Sequence, residues 1–128
     1  MKKNILITGC SSGLGLALTN YYLEKGFKVY GISRNKPDIK NENFIHKSFD
    51  LSNISQIKEK LSAFILDIKE INTVFLNAGM LGEIKILSEL SIQELNEVYS
   101  LNVYANKEIL DILMNIKVKN IIVISSGA

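Results

Sequence analysis

Short apolar runs alternate with stretches of helical periodicity along this 128-residue chain. The runs end at turn-forming residues and are apolar on both faces, which is typical of strands buried in a parallel sheet. The sequence predicts five such strands: Asn4–Thr8, Lys28–Ser33, Asn43–Phe49, Asn72–Leu76 and Lys119–Ile124.

Apolar residues at helical spacing fill the gaps between the strands. The first helix is predicted to use one apolar face, formed by Leu14, Ala17, Leu18, Tyr21 and Tyr22, and Gly26 suits its C-terminal cap. The second is predicted to begin near Ser52 or Asn53 and to present Ile54, Ile57, Leu61, Phe64 and Ile68. A capping box at Ser91–Glu94 opens a third helical region, which resumes at Asn102–Met114.

Strand and helix therefore alternate, which predicts an α/β fold with a parallel sheet covered by helices on both faces. Right-handed crossovers make such a sheet doubly wound. The chain shows no internal repeat and no linker, so residues 1–128 are predicted to form a single domain.

Composition narrows the class of protein. The net charge is only +2 and the basic residues are scattered, so the chain lacks the basic patch of a nucleic-acid-binding protein. One cysteine, Cys10, fits a reducing compartment. The N-terminal apolar run is too short for a signal peptide, and no stretch reaches the roughly 18 apolar residues that a membrane span needs. We expect a cytoplasmic protein without a metal site, since His46 is the only histidine.

The stretch TGCSSGLG, Thr8–Gly15, joins the first strand to the first helix. A pyrophosphate needs a tight turn, close backbone approach and free N–H groups at a helix N-terminus. Gly9, Gly13 and Gly15 would supply the turn and the approach, while Ser11 and Ser12 add hydroxyl donors. The alternative is a glycine turn that only packs. No Gly-Lys-Ser/Thr follows, which disfavours ATP chemistry.

The end of the second strand bears on which dinucleotide would bind. An NAD site usually has an acidic residue there to accept from the ribose 2′-hydroxyl. This chain has Ser33 and Arg34 instead, and an arginine can pair with a 2′-phosphate. The sequence therefore favours NADP(H) over NAD(H), with a solvated loop arginine as the alternative.

Several motifs occur in a fixed order: the glycine pattern, Asp50-Leu51, Asn77-Ala78-Gly79, Asn102 and Ser125-Ser126. Together they resemble the single-domain branch of the short-chain dehydrogenase/reductase family. The resemblance implies a Rossmann-type sheet with strand order 3-2-1-4-5, here without the last strands of the family fold. It implies that residues 9, 11–15, 33, 34, 50, 51 and 77–79 contact the cofactor, with Leu14 among them. Asp50 would accept from the adenine amino group and Leu51 would contact the adenine ring.

The resemblance also implies catalytic roles. Asn102 would kink its helix and hold a water of a proton relay, and Ser126 would hydrogen-bond the substrate carbonyl. The family's Tyr-x-x-x-Lys motif, which supplies the acid/base, is expected to be absent from these residues. The chain would then be the N-terminal portion of an oxidoreductase that transfers hydride between NADP(H) and a carbonyl or alcohol, inactive and self-associating on its own. The alternatives are a nucleotide-binding sensor and a structural fragment.

Overall fold

Five parallel strands form the centre of the structure, a computed structural model that describes residues 3–77, 91–93, 96 and 103–124. The strands are β1 Asn4–Thr8, β2 Lys28–Ser33, β3 Phe44–Ser48, β4 Glu70–Leu76 and β5 Lys117–Val123. The described helices of eight residues or more are α1 Gly13–Glu24, α2 Ile54–Phe64 and α3 Ala105–Leu113. The sheet order β3-β2-β1-β4-β5 confirms the prediction.

Alternating strand residues divide the core into two layers. Leu6, Val74 and Leu76 point into the larger cluster, which α2 and α3 cover with Ile57, Leu61 and Ile109. Ile5, Ile7 and Phe75 point into the smaller cluster, which α1 covers. Helices therefore cover both faces of the sheet, and the predicted doubly wound architecture is confirmed.

The strand boundaries are close to those predicted. The first two strands match to the residue, whereas β3 loses one residue at each end. β4 and β5 each begin two residues earlier than predicted, because Glu70 pairs with Lys117 and Ile71 with Val118. The charged residues Glu70 and Lys117 interrupt the apolar pattern, but pairing between the two strands keeps them in the sheet.

The predicted apolar face of α1 is wrong in part. Leu14 and Tyr21 are about half exposed, while the buried positions are Gly15, Thr19 and Leu23. Leu18 and Tyr22 do pack on the smaller cluster. The face is rotated because Gly15, which has no side chain, lets the start of the helix press against the loop that follows β1.

The other two helices differ from prediction at their ends. α2 begins after the N-cap Asn53, as predicted, but stops at Phe64, so the buried Ile68 lies beyond it. Residues 103–104 form a π-helical turn just before α3. The capping-box residue Glu94 lies outside the described residues. Within the described part of the chain, no helix combines the length and the apolarity needed to cross a membrane.

Candidate functional site

The C-terminal ends of the central strands bring the predicted site residues to one edge of the sheet. Thr8 at the end of β1 pairs with Ile32 of β2, and Ile7 pairs with Phe75 of β4. The glycine loop, the turn at residues 33–35 and Asn77 therefore follow neighbouring strands at the same edge. In open α/β sheets this is the edge where ligands bind.

Backbone geometry explains the glycines of the loop. Gly9 and Gly13 have φ values of 70° and 53°, a region that side chains disfavour. A Cβ on Gly15 would lie 1.8 Å from the Gly9 carbonyl oxygen and 2.6 Å from Asn77 Nδ2. The loop is also tied to β2, because the N–H groups of Gly9 and Cys10 donate to the Ile32 carbonyl at 2.8 and 3.4 Å. The first two glycines permit the turn, and Gly15 permits close packing.

Asn77 supports the glycine loop from the end of β4. Its Nδ2 donates to the Gly9 carbonyl at 3.2 Å, and its backbone N–H donates to Thr8 Oγ1 at 2.9 Å. Thr8 Oγ1 in turn donates to the Phe75 carbonyl at 3.4 Å. Sequence reasoning placed Asn77 at this edge but gave Thr8 no role of its own. Its fully buried hydroxyl joins the ends of β1 and β4.

The start of α1 has the features of a phosphate-binding helix terminus. The first N–H groups of any helix lack partners within the helix. Here Ser12 is the N-cap, and among the described residues its side chain makes no capping hydrogen bond. Ser12, Gly13 and Leu14 are exposed, and a Cβ on Gly13 would meet no atom within 4 Å. An exposed helix N-terminus without a side-chain cap fits a dinucleotide pyrophosphate.

The turn after β2 presents Arg34 next to the glycine loop. Ser33 is buried and its Oγ donates to the Asn35 carbonyl at 2.6 Å, whereas Arg34 is exposed. Ser48, at the end of β3, donates its hydroxyl to the Arg34 carbonyl. The sequence predicted Ser33 and Arg34 as site residues. It missed Ser48, whose cross-strand position opposite Ser33 is visible only in the sheet register.

Asp50 is held as an exposed carboxylate. Its Oδ1 accepts hydrogen bonds from the Ser52 hydroxyl at 2.7 Å and from the Ser52 backbone N–H at 2.9 Å. These bonds, with a smaller contribution from the Arg34 charge, lower the pKa of Asp50 below its ordinary value. Both hydrogen bonds use Oδ1, so Oδ2 is the oxygen left to act as an acceptor toward a ligand. Leu51 is buried in the larger core cluster, and its contact with adenine stays a prediction.

Four predicted site residues lie outside the described residues: Ala78, Gly79, Asn102 and Ser126. Ser125 lies outside them as well. Within the described ranges, no group of three histidine, cysteine or acidic side chains is arranged to hold a metal ion.

The expectation that the chain has no Tyr-x-x-x-Lys spacing is wrong. Tyr21 and Lys25 have this spacing, near and just beyond the end of α1. Tyr21 is about half exposed, and Lys25 Nζ lies 5.5 Å from the centre of its ring. α1 starts at the site edge, so its last turn lies near the opposite edge of the sheet. This pair is therefore not placed to act as the catalytic acid/base.

Comparison with known proteins gives a consistent result. Residues 3–128 match the model of a protein family described as short chain dehydrogenase. Benzil reductase ((S)-benzoin forming) from Bacillus subtilis is 35% identical over 104 residues, which cover 78% of this chain and 43% of the relative. The chain spans about half the length of the curated relatives it matches, from 43% to 55% for the first three.

Solved structures share the fold. A short chain dehydrogenase family protein from Francisella tularensis has a TM-score of 0.88 at 27% identity, covering 98% of this chain and 52% of the other. Two structures below 25% identity hold different dinucleotides. One from Burkholderia multivorans holds NADP (TM-score 0.80, 21% identity, 99% and 60% coverage). One from Leptospira borgpetersenii holds NAD+ (TM-score 0.77, 23% identity, 88% and 44% coverage).

Proposed function

The chain belongs to the short-chain dehydrogenase family, and we propose that its glycine loop and Arg34 bind NADP(H) for an oxidoreductase reaction. Members of this family bind NAD(P), which supports a dinucleotide as the ligand. The preference for the phosphorylated dinucleotide rests on one observation. The exposed Arg34 follows β2 beside the glycine loop, where an NAD site would have an acidic residue.

Each part of the dinucleotide has a partner in this proposal. The pyrophosphate lies on the N-terminus of α1, against the backbone N–H groups of residues 13–15 and the hydroxyls of Ser11 and Ser12. Arg34 pairs with the 2′-phosphate through charge-assisted hydrogen bonds. Asp50 accepts from the adenine amino group through Oδ2. Bound NADPH supplies the hydride that the reaction transfers.

The catalytic half of the proposal depends on residues beyond the described ones. Gly79, together with Asn77, would line the nicotinamide-ribose side, Ser126 would hydrogen-bond the substrate carbonyl and Asn102 would hold a water. Tyr21 and Lys25, which have the Tyr-x-x-x-Lys spacing, lie away from the site edge. Because positioned proton transfer contributes about 10²–10⁴-fold, we expect these 128 residues to turn over poorly by themselves.

The substrate is proposed to be a small carbonyl compound or alcohol in the cytoplasm. The Bacillus subtilis relative is named for the reduction of benzil, a carbonyl compound. A free, buried Cys10 fits a reducing compartment. The alternative is a nucleotide-binding sensor on the same fold.

A fluorescence titration of the purified protein with NADPH, and separately with NADH, tests the proposal. We expect saturable binding of both, with NADPH tighter. Equal binding of the two would refute the cofactor preference, and binding of neither would leave a structural role as the better account. Saturable binding without turnover of any carbonyl compound by the full-length gene product would favour the sensor.

We also propose that the chain self-associates through the edge strand β5. Ile121, Ile122 and Val123 are 48%, 42% and 58% exposed on this strand. Unpaired strand edges and clustered apolar side chains promote association between chains.

Static light scattering is expected to give a mass above that of one chain, rising with protein concentration. Replacing Ile121 and Val123 by lysine should lower it. A monodisperse monomer at every concentration would contradict the proposal.

A further inference from the structure

Three side chains meet behind the turn that presents Arg34: Cys10 from the glycine loop, Ser33 from β2 and His46 from β3. His46 Nε2 lies 2.7 Å from Ser33 Oγ, and Cys10 Sγ donates to the same oxygen at 3.4 Å. The Ser33 hydroxyl donates its hydrogen to the Asn35 carbonyl. A hydroxyl has one donor and two acceptor positions, so all three positions of Ser33 are occupied.

This arrangement fixes the direction of the histidine bond. Because the Ser33 hydrogen goes to Asn35, the Ser33 oxygen must accept from His46, so His46 carries a hydrogen on Nε2. Burial, with a smaller effect from Lys36, lowers the pKa of His46, which keeps the ring neutral at pH 7. Burial also raises the pKa of Cys10, which keeps the thiol protonated as a donor. A neutral imidazole at His46 and a neutral thiol at Cys10 can therefore both donate to the Ser33 oxygen.

The same turn is held from β3 at two further points. Ser48 donates its hydroxyl to the Arg34 carbonyl, and the Phe49 N–H donates to the Ser33 carbonyl at 3.3 Å. The backbone on both sides of Arg34 is therefore fixed by residues that follow one another along β3 and its end. A backbone that is already ordered loses less conformational entropy when its side chain binds a ligand.

We propose that His46 is a positioning residue that sets the preference for the phosphorylated dinucleotide, by holding Ser33 and with it the turn that carries Arg34. The inference rests on the proposed NADP(H) function. His46 makes no contact with the cofactor in this proposal. Its effect should therefore fall on the ratio of NADPH to NADH affinity, because only NADPH uses Arg34.

Two substitutions of His46 separate the effect of its hydrogen bond to Ser33 from the effect of its side-chain volume. His46→Phe keeps a ring but removes the donor, and His46→Gln keeps an N–H donor at a similar distance from the backbone. Because His46→Phe removes one hydrogen bond to Ser33, we expect it to weaken NADPH binding about fivefold. NADH binding should stay within about twofold, and His46→Gln should restore most of the NADPH affinity.

Fluorescence titrations of both dinucleotides provide the readout, with thermal unfolding to confirm that each variant is folded. Ser48→Ala serves as a second variant, because it removes the side-chain bond to the Arg34 carbonyl, and should lower the same ratio. A His46→Phe or Ser48→Ala protein that keeps the wild-type ratio would overturn the inference. So would an equal loss for both dinucleotides. If the unmodified protein does not prefer NADPH, or Arg34→Ala leaves the preference intact, it is the proposed function that fails.

Discussion

Replacing Gly15 by alanine is expected to cost about 3 kcal/mol or more in the free energy of unfolding, at the upper end of what overpacking costs. The new Cβ would lie 1.8 Å from the Gly9 carbonyl oxygen. That atom belongs to a backbone segment already tied to β2 through the Ile32 carbonyl. Neither side can yield by a simple side-chain rotation, so α1 must move away from the loop. Dinucleotide binding should be lost with it.

Gly26→Ala is the matched control for this substitution. Gly26 also has a positive φ, of 83°, but a Cβ there would meet no atom within 4 Å. It lies just beyond the other end of α1, so only the backbone strain should appear, about 1–2 kcal/mol. Urea unfolding measures both variants. If Gly15→Ala costs no more than Gly26→Ala, the close packing of α1 on the glycine loop is not a feature of the folded protein.

The second large effect is expected from Arg34→Ala. Hydrogen bonds to charged groups contribute about 1.5–3 kcal/mol, so NADPH affinity should fall about 10- to 100-fold. NADH lacks the 2′-phosphate, and its affinity should change by no more than about twofold. Because Arg34 is exposed, its removal should leave the free energy of unfolding nearly unchanged. Titration with each dinucleotide measures the effect.

Lys36→Ala provides the control for charge. Lys36 is an exposed cation two residues further along, so its loss changes the net charge by the same amount. It should weaken NADPH binding far less than Arg34→Ala if a specific pairing is involved. Equal losses for the two variants would mean that NADPH responds only to the general positive field, and the specific role of Arg34 would be wrong.

Most of the fold could be predicted from local features of the sequence. β1 and β2 are short apolar runs with polar ends, so their predicted bounds match the structure. The glycine spacing and the following helix placed the glycine loop correctly between β1 and α1. The strand order was implied by the family resemblance. Alternating strands and helices of this kind also have few alternative arrangements.

Effects that depend on tertiary contact were not visible in the sequence. The buried face of α1 is set by the approach of Gly15 to Gly9, which no apolar periodicity encodes. The bond between His46 and Ser33 depends on the parallel register of β2 and β3, in which His46 lies beside Gly31. The sequence offered only a single histidine in or beside a strand, and nothing local connected it to the turn at Arg34.

A crystal structure of the protein with NADP+ would test the cofactor assignment most directly. The account predicts pyrophosphate oxygens within hydrogen-bonding distance of the backbone N–H groups of residues 13–15. It also predicts the 2′-phosphate paired with the Arg34 guanidinium. A dinucleotide bound away from the start of α1, or one whose 2′-phosphate is turned away from Arg34, would contradict it.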